Sequence, residues 1–328
     1  ANGRRMTPKQ AKLPTKAARP LPIAGFDHEN TRSAAHGLSQ NWHLSGDIIR
    51  GQDFDTWIQR SLSDEQVVNN LNKAIGSIQA IQSAPRAEDP RLTAKVILAL
   101  DPAGPIRLGG FATHVDGIGT TLSVGFDDEV TRNQIAELLV SGVLKTWLGL
   151  QGRVKTEIMN FYGILEKVEG LINLPGAGFG IERVLYELNP YQHCVSPMIE
   201  HLYITKTSEL IPALEAVAQG NNLPPIPMDR HIAAFLSAHS EHIDERIMRP
   251  LTHKDNRPAD EALKVMRILA RVQSVYSNGA APALCQWLKD LTSPAVQAVS
   301  YTHLRAHETP EHLVCRIQLV KKKGGGGG

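Results

Sequence analysis

Ser63-Asp64-Glu65-Gln66-Val67-Val68-Asn69-Asn70-Leu71-Asn72-Lys73-Ala74-Ile75-Gly76-Ser77-Ile78-Gln79-Ala80-Ile81 is the stretch whose reading decides the fold. Ser63-Asp-Glu-Gln66 reads as a capping box, in which the Ser hydroxyl takes the third amide and Gln reaches back. Val67, Leu71, Ala74, Ile75, Ile78 and Ile81 follow at spacings of three and four. That rhythm places them on one face of a helix, and a strand would need alternation instead.

The same logic extends outward. Asp89-Pro90 reads as a cap with a first-turn proline, with Leu92, Val96 and Leu100 as its stripe. The apolar run Val96–Leu100 suits a strand as well, but the Asp-Pro start and the four-residue spacing favour a helix. Asp127 or Asp128 opens a helix carrying Val130, Ile135, Leu138 and Leu139, which bends or restarts at Gly142. Further helices are expected over residues 154–168, after Gly180, after Ser196-Pro197, and from Ser208 to Gly220. Asp229, Pro258 and Pro282 each open another. No Asn-Gly hairpin lies between alternating segments. The expected class is all-α, an irregular multi-helix bundle or short αα array of about ten helices.

One echo runs through it. Ile49-Arg-Gly51 leads to Thr56-Trp57-Ile58, and Val140-Ser-Gly142 leads to Thr146-Trp147-Leu148. The spacings differ by one residue and the intervening sequence does not match. Chance similarity is the preferred reading over a helical repeat.

The two ends read differently from the middle. Residues 299–328 resemble a translated sequencing adaptor: Val299 to Thr309 read as one frame of a transposon end, and His312 to Arg316 as the primer after it. Lys321–Lys323 and Gly324–Gly328 then stand for poly-A and poly-G. Such a segment is set aside from fold reasoning. With Met6 a candidate initiator, the expectation is a truncated piece of an environmental bacterial gene. Residues 1–22 carry Arg4, Arg5, Lys9, Lys12, Lys16 and Arg19 with four prolines and no acid. They are expected to form a disordered basic arm. Between the ends, a helical domain over 23–220 and a C-terminal helical subdomain over 228–298 are expected. They flank Asn221-Asn-Leu-Pro-Pro-Ile-Pro227, whose prolines forbid helix.

Composition narrows the function. The 328 residues are 42% hydrophobic, enough for a core. No apolar run approaches the roughly 20 residues that span a bilayer, so no membrane partner is expected. Without residues 299–328 the chain holds 30 basic and 31 acidic residues, and residues 21–298 hold 24 against 31. The body is mildly acidic, so nucleic-acid association is expected only through the arm, if at all. Cys194 and Cys285 are then the two cysteines, which excludes a disulfide scaffold and fits a reducing cytoplasm.

Chemistry-bearing patterns are few. His231, His239 and His242, at spacings of eight and three, fall on roughly one helix face. Neutral imidazoles so placed suit a zinc ion, with Asp244 or Glu245 beside them. A core-packing helix explains the same residues through Ile232, Phe235, Leu236 and Ile243. Gly176-Ala-Gly178-Phe-Gly180 before a helix, with Glu200 some 20 residues on, has part of a dinucleotide fingerprint. Its G-x-G-x-G spacing departs from G-x-G-x-x-G, Pro175 interrupts it, and no strong strand precedes it. Arg246 with His253, the pair His193-Cys194, and the loops Asp101–Arg107 and His114–Gly119 complete the candidates. Of Trp42, Trp57, Trp147 and Trp287, three lie on helical apolar faces and read as core anchors, and Arg60 and Lys145 are too few and scattered for an aromatic nucleic-acid platform. The expectation is therefore an interaction or regulatory module that engages a protein partner and takes no cofactor. The alternatives are a zinc-dependent helical enzyme or nuclease, and nucleic-acid association through Arg4–Arg19.

Overall fold

The computed structural model describes residues 14–62, 64–75, 90–151, 156–174, 176–240, 258–276 and 279–299. Fourteen α-helices and two small two-stranded sheets occur among them. The chain divides into two compact units, Ala1–Glu169 and Gly170–Gly328. The proline-rich stretch 221–227 lies inside the second unit.

The first unit begins with strands β1 (Leu21–Ile23) and β2 (Phe26–His28), which pair as a hairpin. Helices α1 (Thr31–Gln40), α2 (Trp42–Arg50) and α3 (Gln52–Thr56) follow, then a π-turn over Trp57–Ser61. Next come α4 (Glu65–Ile75), α5 (Pro90–Leu100), the hairpin β3 (Ile106–Leu108) and β4 (Phe111–Thr113), then α6 (Ile118–Val124), α7 (Glu129–Val140) and α8 (Val143–Leu150). Helix α5 is the hub, packed by α1, α2, α4, α8 and β3. Every residue from Val96 to Leu100 is buried, which is why the run reads as uniformly apolar.

Several sequence expectations meet local chemistry here. Helix α4 is opened by Asp64, whose carboxylate accepts the Gln66 amide at 3.0 Å. The Gln66 side-chain amide donates forward to Asn70. Ser63 itself, and Ile78 and Ile81, lie outside the described residues. Asp128 caps α7 through Val130 N and Thr131 N, and the restart at Gly142 takes φ +75, the left-handed conformation that suits glycine.

Residues 14–22, expected as part of a disordered arm, are tied to the body. Ala17 N donates to Glu29 O and Ala18 N to Ser61 O. The Trp57 indole donates to Arg19 O at 2.9 Å, and Ala17 is buried. Residues 21–23 form a strand, so the expected disordered arm does not extend over residues 14–22. Residues 1–13, with Arg4 to Lys12, lie outside the described residues. Of the expected adaptor segment, Val299 is the last described residue.

The two hairpins and the helices after α4 depart from the sequence reading. Each hairpin turns in two residues, with matching registers: Leu21 opposite His28 and Ile23 opposite Phe26, then Ile106 opposite Thr113 and Leu108 opposite Phe111. Ala24 and Gly25 take φ +47 and +83, and Gly109 takes +59, as the primed turns of tight hairpins demand. After each hairpin come two helices, a glycine and a third helix, with a 3-10 turn over Val115–Gly117 first in the second run; the third helix ends at Thr56 in one case and holds Thr146-Trp147 in its middle in the other. The echo between residues 49–58 and 140–148 thus falls at comparable places in two similar runs of elements. Sequence hid the likeness because matching positions are filled differently: Ala34, Ala35 and Leu38 are buried in α1, and Ile118, Gly119 and Leu122 in α6. In α1, Gly37 makes room for the His28 ring, whose Nε2 and Cε1 would clash with any Cβ there. Burial holds the His28 pKa below its ordinary value, and its Nδ1 meets Ser33 Oγ at 2.8 Å.

Helix α9 (Thr156–Ile172) contains the division between the units. The second unit continues with α10 (Gly180–Leu188), a 3-10 turn over Glu200–Leu202, α11 (Leu210–Ala218), α12 (Arg230–His239), α13 (Pro258–Tyr276) and α14 (Pro282–Val299). The helix expected after Ser196-Pro197 is reduced to that single turn. Helices α13 and α14 pack against each other, as do α10 and α12. Glu215 of α11 reaches the start of α14, where its two oxygens accept Ala283 N and Leu284 N at 3.1 and 2.8 Å. A carboxylate there satisfies two orphan amides and opposes the helix dipole.

Candidate functional site

The segment between α10 and the 3-10 turn, Asn189–Ile204, is irregular yet firmly held. Tyr186 of α10 is 1% exposed and stacks edge-on against Phe235 of α12, centroids 5.6 Å apart. Its hydroxyl accepts Val195 N–H at 3.1 Å. Cys194 N donates to Ile204 O at 2.9 Å, joining the two ends of the segment. Ser196, fully buried, donates its hydroxyl to Asp229 Oδ2 at 2.6 Å, while Asp229 Oδ1 accepts Ile232 N as the cap of α12. His239 completes this wall, its ring 4.5 Å from Phe235.

On this scaffold two tyrosines, Tyr191 and Tyr203, stand exposed beside Glu200, His201 and Leu202. Tyr203 has φ +50 and ψ +40 and is 70% exposed. A bulky side chain in the left-handed region is a genuine outlier. Its ring lies 4.7 Å from that of His193, tilted 38°. Glu200 Oε1 stands 3.9 Å from His193 Nε2, and the Glu200 carbonyl accepts Tyr203 N at 3.0 Å. Tyr191 is 86% exposed in the same segment.

The expected site residues fare unevenly. His231 and His239 both lie on α12, and His242 lies outside the described residues with Asp244 and Glu245. His239 Nδ1 is 3.0 Å from Phe235 O and Nε2 is 3.1 Å from Pro190 O. Carbonyl oxygens only accept, so His239 must leave at least one of them to offer a lone pair to an ion. No group of three His, Cys, Asp or Glu able to hold a metal occurs among the described residues. Arg246 and His253 also lie outside them.

The pair His193-Cys194 splits: the imidazole faces Tyr203, whereas the thiol is buried and burial pushes its pKa to about 12. A thiol so held is inert. Burial likewise raises the Tyr186 phenol. Gly176 and Gly178 before α10 and Gly180 at its start all take positive φ, but Glu182 brings a carboxylate to its first turn, 3.1 Å from where a Gly180 Cβ would lie. A carboxylate there repels phosphate. The loops 101–107 and 114–119 flank and partly enter the second hairpin, and Gln151 donates to Pro102 O. Trp57 and Trp287 are buried as expected of core anchors, and Lys145 is paired with Glu169 at 2.9 Å.

Tyr203 was missed from sequence because no residue around it marks a left-handed turn, a position that Gly or Asn usually fills. No helix among the described residues is long and apolar enough to cross a membrane. No protein-family model, no curated protein and no solved structure matches the chain.

Proposed function

We propose that this chain is a helical interaction module of the bacterial cytoplasm, and that it engages a protein partner through the Tyr203–His193 face of its second unit. The observation that carries the reading is the left-handed backbone at an exposed Tyr203. Such a conformation costs about 1–2 kcal/mol relative to the right-handed region. A glycine there would avoid that cost, and strain of this kind persists where surrounding structure over-determines it, commonly at binding surfaces. Large exposed aromatics on a pinned backbone are the side chains that dominate protein interfaces. Among the described residues nearby, the Cys194 thiol is sealed in the core and Asp229 is engaged as a helix cap. Two free buried cysteines support a reducing compartment.

The test is affinity capture from a related bacterial cell, with wild type beside Tyr203→Gly. Glycine keeps the left-handed backbone and removes only the ring. A partner retained by wild type at micromolar concentration and lost by Tyr203→Gly is the expected result. Equal capture by both, or none by wild type, overturns the reading.

A further inference from the structure

We infer that the group received at Tyr203 is a cation, the guanidinium or ammonium of an arginine or lysine on the partner; this rests on the interaction reading above. Three features converge. The Tyr203 ring is covered on one side by His193 at 4.7 Å, and with 70% of the residue exposed its other face is open. A phenol face attracts cations through its quadrupole. Glu200, whose side chain is 55% exposed, has one ionic contact among the described residues, the 3.9 Å approach to His193 Nε2. That is beyond hydrogen-bond length, so the carboxylate retains capacity for a charged donor.

Local charge agrees. Between Arg183 and Lys206 the chain has no lysine or arginine and two carboxylates, Glu187 and Glu200. Glu187 is committed to Arg183, 2.5 Å away on the same helix, with both side chains 11% exposed. Glu200 is therefore the acidic group left to the surface of this segment. The pinning of the segment by Tyr186 and Ile204 fixes the site in advance, so a partner cation meets a formed site. An acidic or purely apolar partner would leave Glu200 repelled or desolvated without compensation.

The experiment titrates the full chain with an acetylated, amidated Gly-Arg-Gly peptide and with its citrulline counterpart, which keeps the shape and loses the charge. Backbone amide shifts are read at residues 193–204. The arginine peptide is expected to move His193, Glu200 and Tyr203, with citrulline binding at least about fivefold weaker. Glu200→Gln and Tyr203→Gly should each weaken the arginine peptide by about two- to fivefold, and Tyr203→Phe should retain it. Equal binding of the citrulline peptide, shifts confined to other residues, or no shift with either peptide overturns the inference. If partner capture still depends on Tyr203 in that event, the interaction reading stands and only the cationic assignment falls.

Discussion

Replacing Asp229 by Ala should destabilise the second unit more than a lost helix cap accounts for. Asp229 does two things at once. Its Oδ1 accepts Ile232 N at 2.9 Å to cap α12, and its Oδ2 accepts the hydroxyl of Ser196 at 2.6 Å. Losing the cap costs about 1 kcal/mol. Ser196 is fully buried, so its hydroxyl is left without that acceptor, which costs about 1–3 kcal/mol more. The expected loss is about 2–4 kcal/mol, or a urea midpoint lower by about 1–2 M at a slope near 2 kcal/mol/M. Amide signals of α12 report it directly. Ser196→Ala in the Asp229→Ala background should recover part of the loss, because the orphaned donor is gone. A loss under about 0.5 kcal/mol, or single effects that add in the double variant, would show that the two bonds do not act together.

Other consequences follow from particular contacts. Gly37→Ala in α1 should destabilise by about 1 kcal/mol or more in chemical denaturation, although Gly→Ala within a helix normally stabilises, because the new Cβ meets the His28 ring. Ala24→Gly should stabilise by about 0.5–1 kcal/mol, since φ +47 is strained for alanine; a lower midpoint refutes the hairpin geometry. Burial raises Cys194 to about 12 and Cys285 to about 11 in the folded chain. An ordinary thiol titrates near about 8.5, so folding favours the neutral form, and this contribution is intact below about pH 8.5 and lost as pH climbs toward 11–12. Folded protein should therefore alkylate at Cys194 about a thousandfold more slowly than unfolded protein at pH 8, and comparable rates would place the thiol at the surface.

What was legible in the sequence depended on how much contrast each segment carries. Pro90, Asp128, Asp229, Pro258 and Pro282 announced their helices, because each begins at a cap or first-turn residue followed by a large apolar stripe. Helices α1 and α6 carried no such signal. They bury alanine, glycine and threonine beside a single leucine or an isoleucine–leucine pair, and small residues give close packing with little periodic hydrophobicity. The hairpins were invisible for a related reason: three-residue strands are too short for alternation to register, and the first turns on Ala24-Gly25. Recognising that turn requires knowing that an alanine is held against its preference.

The same physics explains why the histidines of α12 drew attention and Tyr203 did not. Metal-ligating residue types are rare, so any three in a row of turns stand out, whatever their rings face. His239 illustrates the cost of that bias, with both ring nitrogens turned to main-chain oxygens. Tyr203 is an ordinary residue in an extraordinary conformation, and conformation is dictated from far along the chain: Tyr186 holds Val195, Ile204 holds Cys194, and Asp229 holds Ser196. The last of these links spans 33 residues. Because Asp229 anchors the segment that presents Tyr203, Asp229→Ala should also weaken partner capture without touching the binding face. Capture unchanged in a variant shown to have lost the Ser196 contact would mean that the left-handed turn is set locally, and that the strain at Tyr203 needs no scaffold to maintain it.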